Sequence, residues 1–337
     1  MQHSYRTVVS PSPAPFTIHH DHKILTVGSC FSENIGNKFK QYKFNICINP
    51  FGQQYNPYSI AQALVRLVDA QPYCEEDLVF HDELYHSFDH HGCFSAPTIS
   101  AALENINTRL KSDAAFLRHA DYIFLTFGTS HYFSLKENGR IVSNCHKLSG
   151  NFFDRKLFAP TEITACMREA ISKVKSVNPG VKFILTISPV RYFAFGVYEN
   201  SVSKAHLFTA LHELLQSIDN LFYFPAYELV IDDLRDYRFY AEDMLHPNYL
   251  ATQYVWEKIC ETFLSENTRS LLQKIDDVLM AARHRPRNPS SAAHRKFVQK
   301  YLQLIQELQV KHNLQFDDEA TQLRNSLSEA TSKPQVE

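Results

Sequence analysis

Two short stretches of this 337-residue sequence carry side chains suited to covalent chemistry. The first is Thr26-Val27-Gly28-Ser29-Cys30-Phe31-Ser32. Its two nucleophile candidates, Ser29 and Cys30, stand between an apolar run and a helix-patterned segment. A group at a helix start feels the positive end of the helix dipole. For a thiol this lowers the pKa and raises the thiolate fraction. Gly28 lets the chain turn without a Cβ clash. The bland reading is a buried cysteine beside a capping serine, Ser29 or Ser32. The second stretch is Asp243-Met244-Leu245-His246-Pro247. An Asp and a His three apart on a turn can lie side by side. The carboxylate then fixes the imidazole tautomer and leaves the other ring nitrogen free as a base. Pro247 suits a first helical position. An Asp-x-x-His string arises by chance roughly once in a chain of this composition, so its weight comes from context.

That context is the set of elements that must deliver both stretches to one place. The runs 23–27, 44–48, 122–127, 181–187 and 222–224 read as strands. Helical spacing marks 31–42, 58–68, 99–118, 161–177, 204–218 and 248–264. The run at 122–127 has the character of a fully buried central strand. Residues 78–96 read as a strand pair with a polar loop, and 132–158 as a second insertion. Strand and helix alternate about five times, which predicts a parallel sheet with helices on both faces. In such sheets the active site lies at the carboxyl ends of the strands. The nucleophile candidates follow the first strand and Asp243 and His246 follow the last, so both open on that edge.

Other residues fall at the same edge. Gly52 follows the second strand, and Gly128, Thr129 and Ser130 follow the third. Bare amides and a hydroxyl there could donate to a developing oxyanion, although each glycine alone also reads as a loop residue. Gly128, His91, His131 and Arg191 are the candidates for substrate contact. Arg191 suits an anionic group, or equally a surface ion pair. His131 and His146 also read as satisfied structural histidines. His81, Asp82, His86, Asp89, His90 and His91 crowd into eleven residues and could bind a metal. Strand alternation would put His81, Asp89 and His91 on one face and His86 and His90 on the other. That is no compact tetrahedral set, so no metal and no cofactor is assigned.

The composition narrows the class. Apolar residues make up 44% and charged ones 21%, ordinary for a soluble globular chain. A net charge of -2 without a basic stripe points away from nucleic acid. No apolar run reaches the length of a membrane span, and the first residues show no secretory pattern. The seven cysteines are odd in number and form no CxxC pair, against a disulfide framework or structural zinc. Reduced thiols in a cytoplasm fit this usage. The expected organisation is an irregular arm at 1–20, an α/β domain at 21–265, a helical extension at 266–320 and a disordered tail at 321–337. The extension, helical at 268–282 and 294–312, would pack on the domain or form a homodimer contact.

Taken in order over about residues 20–265, the strings at 28–32, 49–52, 55–57, 127–130, 144–147, 188–191 and 243–247 resemble the GSCFA family, an offshoot of the SGNH (GDSL-like) hydrolases. The resemblance implies a flavodoxin-like three-layer α/β/α fold with a five-stranded parallel sheet. It implies an ester hydrolase acting on a small acyl group, such as acetyl on a carbohydrate. In the superfamily's first block, Gly-Asp-Ser, Gly28 takes the Gly place, Ser29 the Asp place and Cys30 the nucleophile place. Ser29 is the nucleophile if the turn differs by one residue. The second-block glycine falls on Gly52. The third block ends in Asn, where this chain has Ser130 beside Thr129. The final Asp and His fall on Asp243 and His246. Two of four hallmark residues are thus replaced, which leaves altered or absent catalysis open.

The resulting expectation is specific. Cys30 attacks the carbonyl, His246 takes its proton, and Asp243 orients His246. The amides of Cys30 and Gly52, with Ser130, hold the oxyanion through a covalent acyl-enzyme. The Cys30 sulfur should lie within hydrogen-bond reach of His246. The alternatives are an acyltransferase on the same site, a metal-dependent phosphoesterase using 81–91, and a non-catalytic binding protein.

Overall fold

The first apolar run forms β1 (Lys23–Gly28), which passes through Ser29 into α1 (Cys30–Gln41). Next come β2 (Asn45–Ile48), α2 (Pro57–Asp69) and a hairpin of β3 (Leu78–His81) and β4 (Leu84–Ser87). Helix α3 (Ile99–Leu117) leads to β5 (Tyr122–Phe127), and then to β6 (His131–Leu135), β7 (Ile141–Val142) and β8 (Phe153–Leu157). The chain continues through α4 (Pro160–Val177), β9 (Lys182–Ile187), α5 (Val197–Ser217), β10 (Leu221–Tyr223), the short α6 (Ala226–Glu228) and α7 (Tyr249–Phe263). Three more helices follow: α8 (Glu266–Arg283), α9 (Ala292–His312) and α10 (Asp317–Ser328). This computed structural model describes residues 7–328.

The described chain divides into two units. The first runs to Phe263, apart from Gln41–Lys43. Its sheet has five strands in the order β10-β9-β5-β1-β2, all parallel. That order is the flavodoxin-like doubly wound one. Alternate residues of the central strands face opposite ways. Leu25, Val27, Ile123, Leu125, Phe183 and Leu185 enter a core shared with α2, α3, α4 and α5. On the other face Phe39 of α1 meets Phe124 at 5.5 Å and Trp256 of α7 at 4.8 Å. Helices therefore cover both faces, and the central strands are apolar almost throughout because neither face meets water.

Local chemistry sets the element ends near the edge of interest. Asn56 caps α2 by accepting the Ser59 amide, with Pro57 in its first turn. Gly28 pairs with Thr126 so closely that a Cβ on Gly28 would lie 2.4 Å from the Thr126 carbonyl oxygen. Helix α5 begins at Val197, seven residues earlier than its spacing predicts. Its exposed first turn, with Val197 and Tyr198 outward, hides the periodicity. The insertion at 132–158 folds as part of a small antiparallel sheet in the order β7-β6-β8.

The second unit comprises Gln41–Lys43 and the residues from Leu264 on. Leu271, Ile275, Val278, Val298, Ile305 and Leu308 are buried within it. The tail expected from residue 321 is displaced: α10 continues to Ser328, burying Ala320 and Leu323. Those two apolar positions are diluted by polar neighbours, so composition alone misreads the segment. Residues 329–337 lie outside the described residues. The arm is irregular from residue 7 to its anchors at Phe16, stacked on Phe263 at 5.8 Å, and Ile18, fully buried.

Candidate functional site

The end of β1 is laced to the chain that follows β2. The Gly28 amide donates to Asn49 Oδ1 at 3.0 Å, and the Gln54 amide donates to the Gly28 carbonyl at 2.8 Å. Ser29 follows, buried, with an Oγ that has no hydrogen-bond partner. Cys30 is the first residue of α1 and is partly open. Burial pushes its thiol above the usual range, and Glu33 adds to this. The amides of Phe31 and Cys30 and the charge of Lys204 pull the other way. Helix-start amides thus do favour the thiolate, but burial outweighs them here. Tyr55 is close enough to feel Cys30: burial first, then the Cys30 and Glu33 charges, push its phenol to about 12.

Of the groups expected to bind an oxyanion, Gly52, Thr129 and Ser130 are spent elsewhere. Gly52 donates its amide to the Asn49 carbonyl at 2.8 Å. Its φ of +76° and the 2.2 Å gap between an added Cβ and His91 Cβ explain the glycine. The amides of Gly128 and Thr129 both donate to the Tyr55 carbonyl, at 2.8 and 3.0 Å. Ser130 is wholly buried, and its hydroxyl donates to the Ser203 carbonyl at 3.0 Å. Its amide donates to Ser203 Oγ at 2.8 Å, which also pairs with Thr129 Oγ1 at 2.9 Å. Loops leaving strand ends must satisfy their own amides, and these do so internally. Among the described residues, the buried donors left without a partner at this edge include Asn49 Nδ2, Arg191 Nε and the hydroxyls of Ser29 and Ser32.

Asp243 and His246 form a pair as expected. Asp243 Oδ2 meets His246 Nδ1 at 2.6 Å, and Asp243 Oδ1 accepts the amides of Leu245 and His246, each at 2.9 Å. Those amides first, then the imidazole, hold the Asp243 carboxyl down at about 2. Met244, at φ +58°, makes the turn tight enough for this. The hydrogen bond expected between His246 and Cys30 is not formed: among the described residues none joins His246 to Cys30 or Ser29. The cause is local closure. Ala241 donates to the His246 carbonyl at 2.7 Å and Tyr240 bridges Pro247. The segment folds on itself, and both side chains of the pair stay 47% exposed.

The residues at 81–91 have structural partners. His86 Nδ1 meets Ser95 Oγ at 2.7 Å, and its Nε2 meets the His81 carbonyl at 2.9 Å. His90 stacks on Phe51 at 4.6 Å, and burial drives its pKa to about 3. Asp89 pairs with Arg140 at 2.9 Å. His91 packs on Gly52 and accepts the Cys93 amide at 3.3 Å. His146 Nε2 donates to the Ser87 carbonyl at 2.8 Å. Among the described residues no three His, Cys, Asp or Glu side chains converge on a metal position, so the phosphoesterase reading has no donor set. His131 is buried beside Phe195, its ring nitrogens without hydrogen bonds, and burial lowers its pKa. Arg191 has neither ion pair nor hydrogen bond among the described residues, against the surface-pair reading. Its charge reaches Lys204, Tyr227 and Tyr240. A cavity of about 110 Å³ between Phe51, Tyr58, Arg66, Tyr73 and Asp89 contains none of the residues assigned to catalysis.

Two residues of this edge escape the sequence reading. Ser203 receives Thr129 and Ser130, as above. Lys204, 3% exposed, donates from Nζ to the Gly128 and Ser188 carbonyls, both at 2.7 Å. Burial drives its pKa down to about 7, while Cys30 raises it and Arg191 lowers it further. Its sequence signal is a lysine inside the apolar column of α5.

The GSCFA family model matches residues 23–259, and the model described as GSCFA domain protein, C-terminal domain, matches residues 275–329. No curated protein matches the chain. Among solved structures it is similar to a carbohydrate esterase family 3 protein from Talaromyces cellulolyticus, at 11% identity and a TM-score of 0.34, covering 76% of this chain and 99% of that one. It is also similar to an acetyl xylan esterase from the rumen bacterium Butyrivibrio proteoclasticus, at 10% identity and a TM-score of 0.31, covering 72% and 64%. Likeness at this level decides nothing about activity. Among the described residues no helix is long and apolar enough to cross a membrane.

Proposed function

Since the chain belongs to the GSCFA family, we propose that the β1 edge is the active site of an ester hydrolase with Cys30 as nucleophile. The observation that carries this is the Asp243–His246 pair. Its 2.6 Å contact occupies Nδ1 and leaves Nε2 as a base. Cys30 opens the helix that follows β1, and the pair lies in the segment that runs from β10 to α7, β1 and β10 being strands of one parallel sheet. Cys30 is favoured over Ser29 because the cysteine is partly open, whereas the Ser29 hydroxyl is buried.

In this reading the His246 segment must close on the ester before chemistry. Cys30 loses its proton to His246 Nε2, and the sulfur pair forms a C–S bond to the carbonyl carbon. The ester C–O bond breaks, and the leaving alcohol takes the proton back from His246. Water then attacks the thioester, giving its proton to His246, and the C–S bond breaks to return the thiol. Asn49 Nδ2 and the Cys30 amide serve the oxyanion, in place of Ser130. Arg191, unpaired, contacts a polar or anionic part of the substrate. Kinship with SGNH hydrolases and an acetylated carbohydrate as substrate belong to the same proposal. An acyltransferase differs only in whether water or another alcohol reaches the thioester.

The test is hydrolysis of p-nitrophenyl acetate by the parent and by Cys30→Ala, Cys30→Ser, Ser29→Ala and His246→Ala. Cys30→Ala and His246→Ala are expected to lose about 10³-fold or more in kcat/KM, and Ser29→Ala less than about tenfold. A dead Ser29→Ala beside a fully active Cys30→Ala would move the nucleophile to Ser29. Equal rates in all variants would remove the site.

A further inference from the structure

Helix α5 buries a column that includes Ser203, Lys204, Leu207, Ala210, Leu211 and Leu214. A lysine in that company is costly unless its polar head is partnered. Among the described residues no carboxylate pairs with it: the hydrogen-bond acceptors of Nζ are the carbonyls of Gly128 and Ser188. These residues follow β5 and β9 directly. An ammonium has three N–H groups and an amine two. Two are held by carbonyls, so the remaining tetrahedral position carries either a third proton or a lone pair. Gly128 in turn packs on the turn into α1: a Cβ added to it would come 3.6 Å from Ser29 Cβ. Lys204 is thus anchored on the residue that abuts the Ser29–Cys30 turn.

We infer that Lys204 is a positioning residue for the nucleophile, its buried head group tying two strand ends together and so fixing the residue on which the Ser29–Cys30 turn packs. The inference rests on the reading of Cys30 as nucleophile. Each group feels the other: Lys204 lowers the Cys30 thiol, and Cys30 raises the Lys204 ammonium. Lys204 titrates at about 7 whereas burial holds the Cys30 thiol above its usual range, so where Cys30 ionises Lys204 is an amine whose two N–H groups still hold both carbonyls. The other groups that face them are few. Glu33 on α1 opposes the thiolate, and Tyr55 lies within its field. Arg191 faces Lys204 from the chain after β9, and the Tyr227 ring lies 5.7 Å from Nζ.

The experiment labels the full-length chain with iodoacetamide between pH 5 and pH 10 and reads each cysteine peptide by mass spectrometry. Lys204→Gln keeps two N–H donors for the carbonyls but no charge, whereas Lys204→Met removes both. In variants that melt as the parent does, Lys204→Met is expected to change the Cys30 labelling rate at fixed pH by about tenfold and Lys204→Gln to restore it, with exposed Cys74 and Cys93 unchanged. A folded Lys204→Met with the parent's Cys30 labelling rate overturns the inference. Should neither variant fold, the parent decides. Iodoacetate relative to iodoacetamide should label Cys30 best below pH 7 and lose that preference as Lys204 deprotonates, and a flat ratio overturns the inference equally. If Cys30→Ala hydrolyses esters at the parent's rate, the nucleophile falls by a separate measurement. If Cys30→Ala is dead and Lys204→Met labels at the parent's rate, only the role of Lys204 falls.

Discussion

At the scale of single residues, the chemistry turns on which atom of a polar side chain is left over. Asp243 has both oxygens committed, one to two amides and one to His246 Nδ1. Asp243→Asn would set an amide N–H against the ring or against those backbone amides. Either outcome reverses the imidazole tautomer or unseats it. We expect kcat on p-nitrophenyl acetate to fall by about 10³- to 10⁴-fold with KM little changed. A loss under tenfold would show that the pair is not the base. The sign of the pH effect follows from the shift. The Asp243 carboxyl is depressed to about 2, so its ionised form persists through mild acid and is lost only as pH falls toward that value. An acid limb of the rate profile near neutrality must therefore belong to another group.

Elements set where those atoms sit, and their constraints are testable apart from activity. Gly52 combines φ +76° with a neighbour 2.2 Å from any added Cβ, whereas Gly92 has open space. Gly52→Ala should cost about 2 kcal/mol or more and lower Tm by roughly 4 °C or more in a chain of this size. Gly92→Ala, the control, should move it little, and equal shifts would refute the steric account. The same distinction explains what the sequence could reveal. The central strands are legible because burial on both faces makes them apolar and short. Gly28 and Cys30 are legible because they end or follow a strand, and Asp243 and His246 because their spacing falls on a turn ahead of a helix. The partners of Ser130, Thr129 and Gly128 are not legible. They join α5 and the segment after β2, and no local pattern specifies which hydroxyl or carbonyl a strand end will meet. Lys204 shows only as a misplaced charge in an apolar column, and α10 only as two apolar positions among polar ones.

For the molecule as a whole, acid should be destabilising through His90. Its imidazole is buried against Phe51 and Tyr73, bonded to Ser87 Oγ at 2.9 Å, with the charges of Arg66 and His146 opposing protonation. Its folded pKa of about 3 lies below the unfolded value. Stability is therefore whole above about pH 6.5 and drains as pH falls toward 3, by up to about 1.4 kcal/mol per unit. Urea unfolding at pH 7 and pH 5 should show His90→Phe losing about 2 kcal/mol less than the parent. Identical losses would assign the acid sensitivity elsewhere. The homodimer proposed for the C-terminal helices is read by sedimentation across concentration, where a monomer mass throughout removes it. Ser203 and Lys204 are consecutive on α5, and each grips a different set of strand-end atoms. One residue added or deleted between Gly196 and Ser203 would turn the helix by about 100° and strip both grips at once. Length polymorphism among natural variants should accordingly collect in the loop ahead of Gly196 and spare the first two turns of that helix.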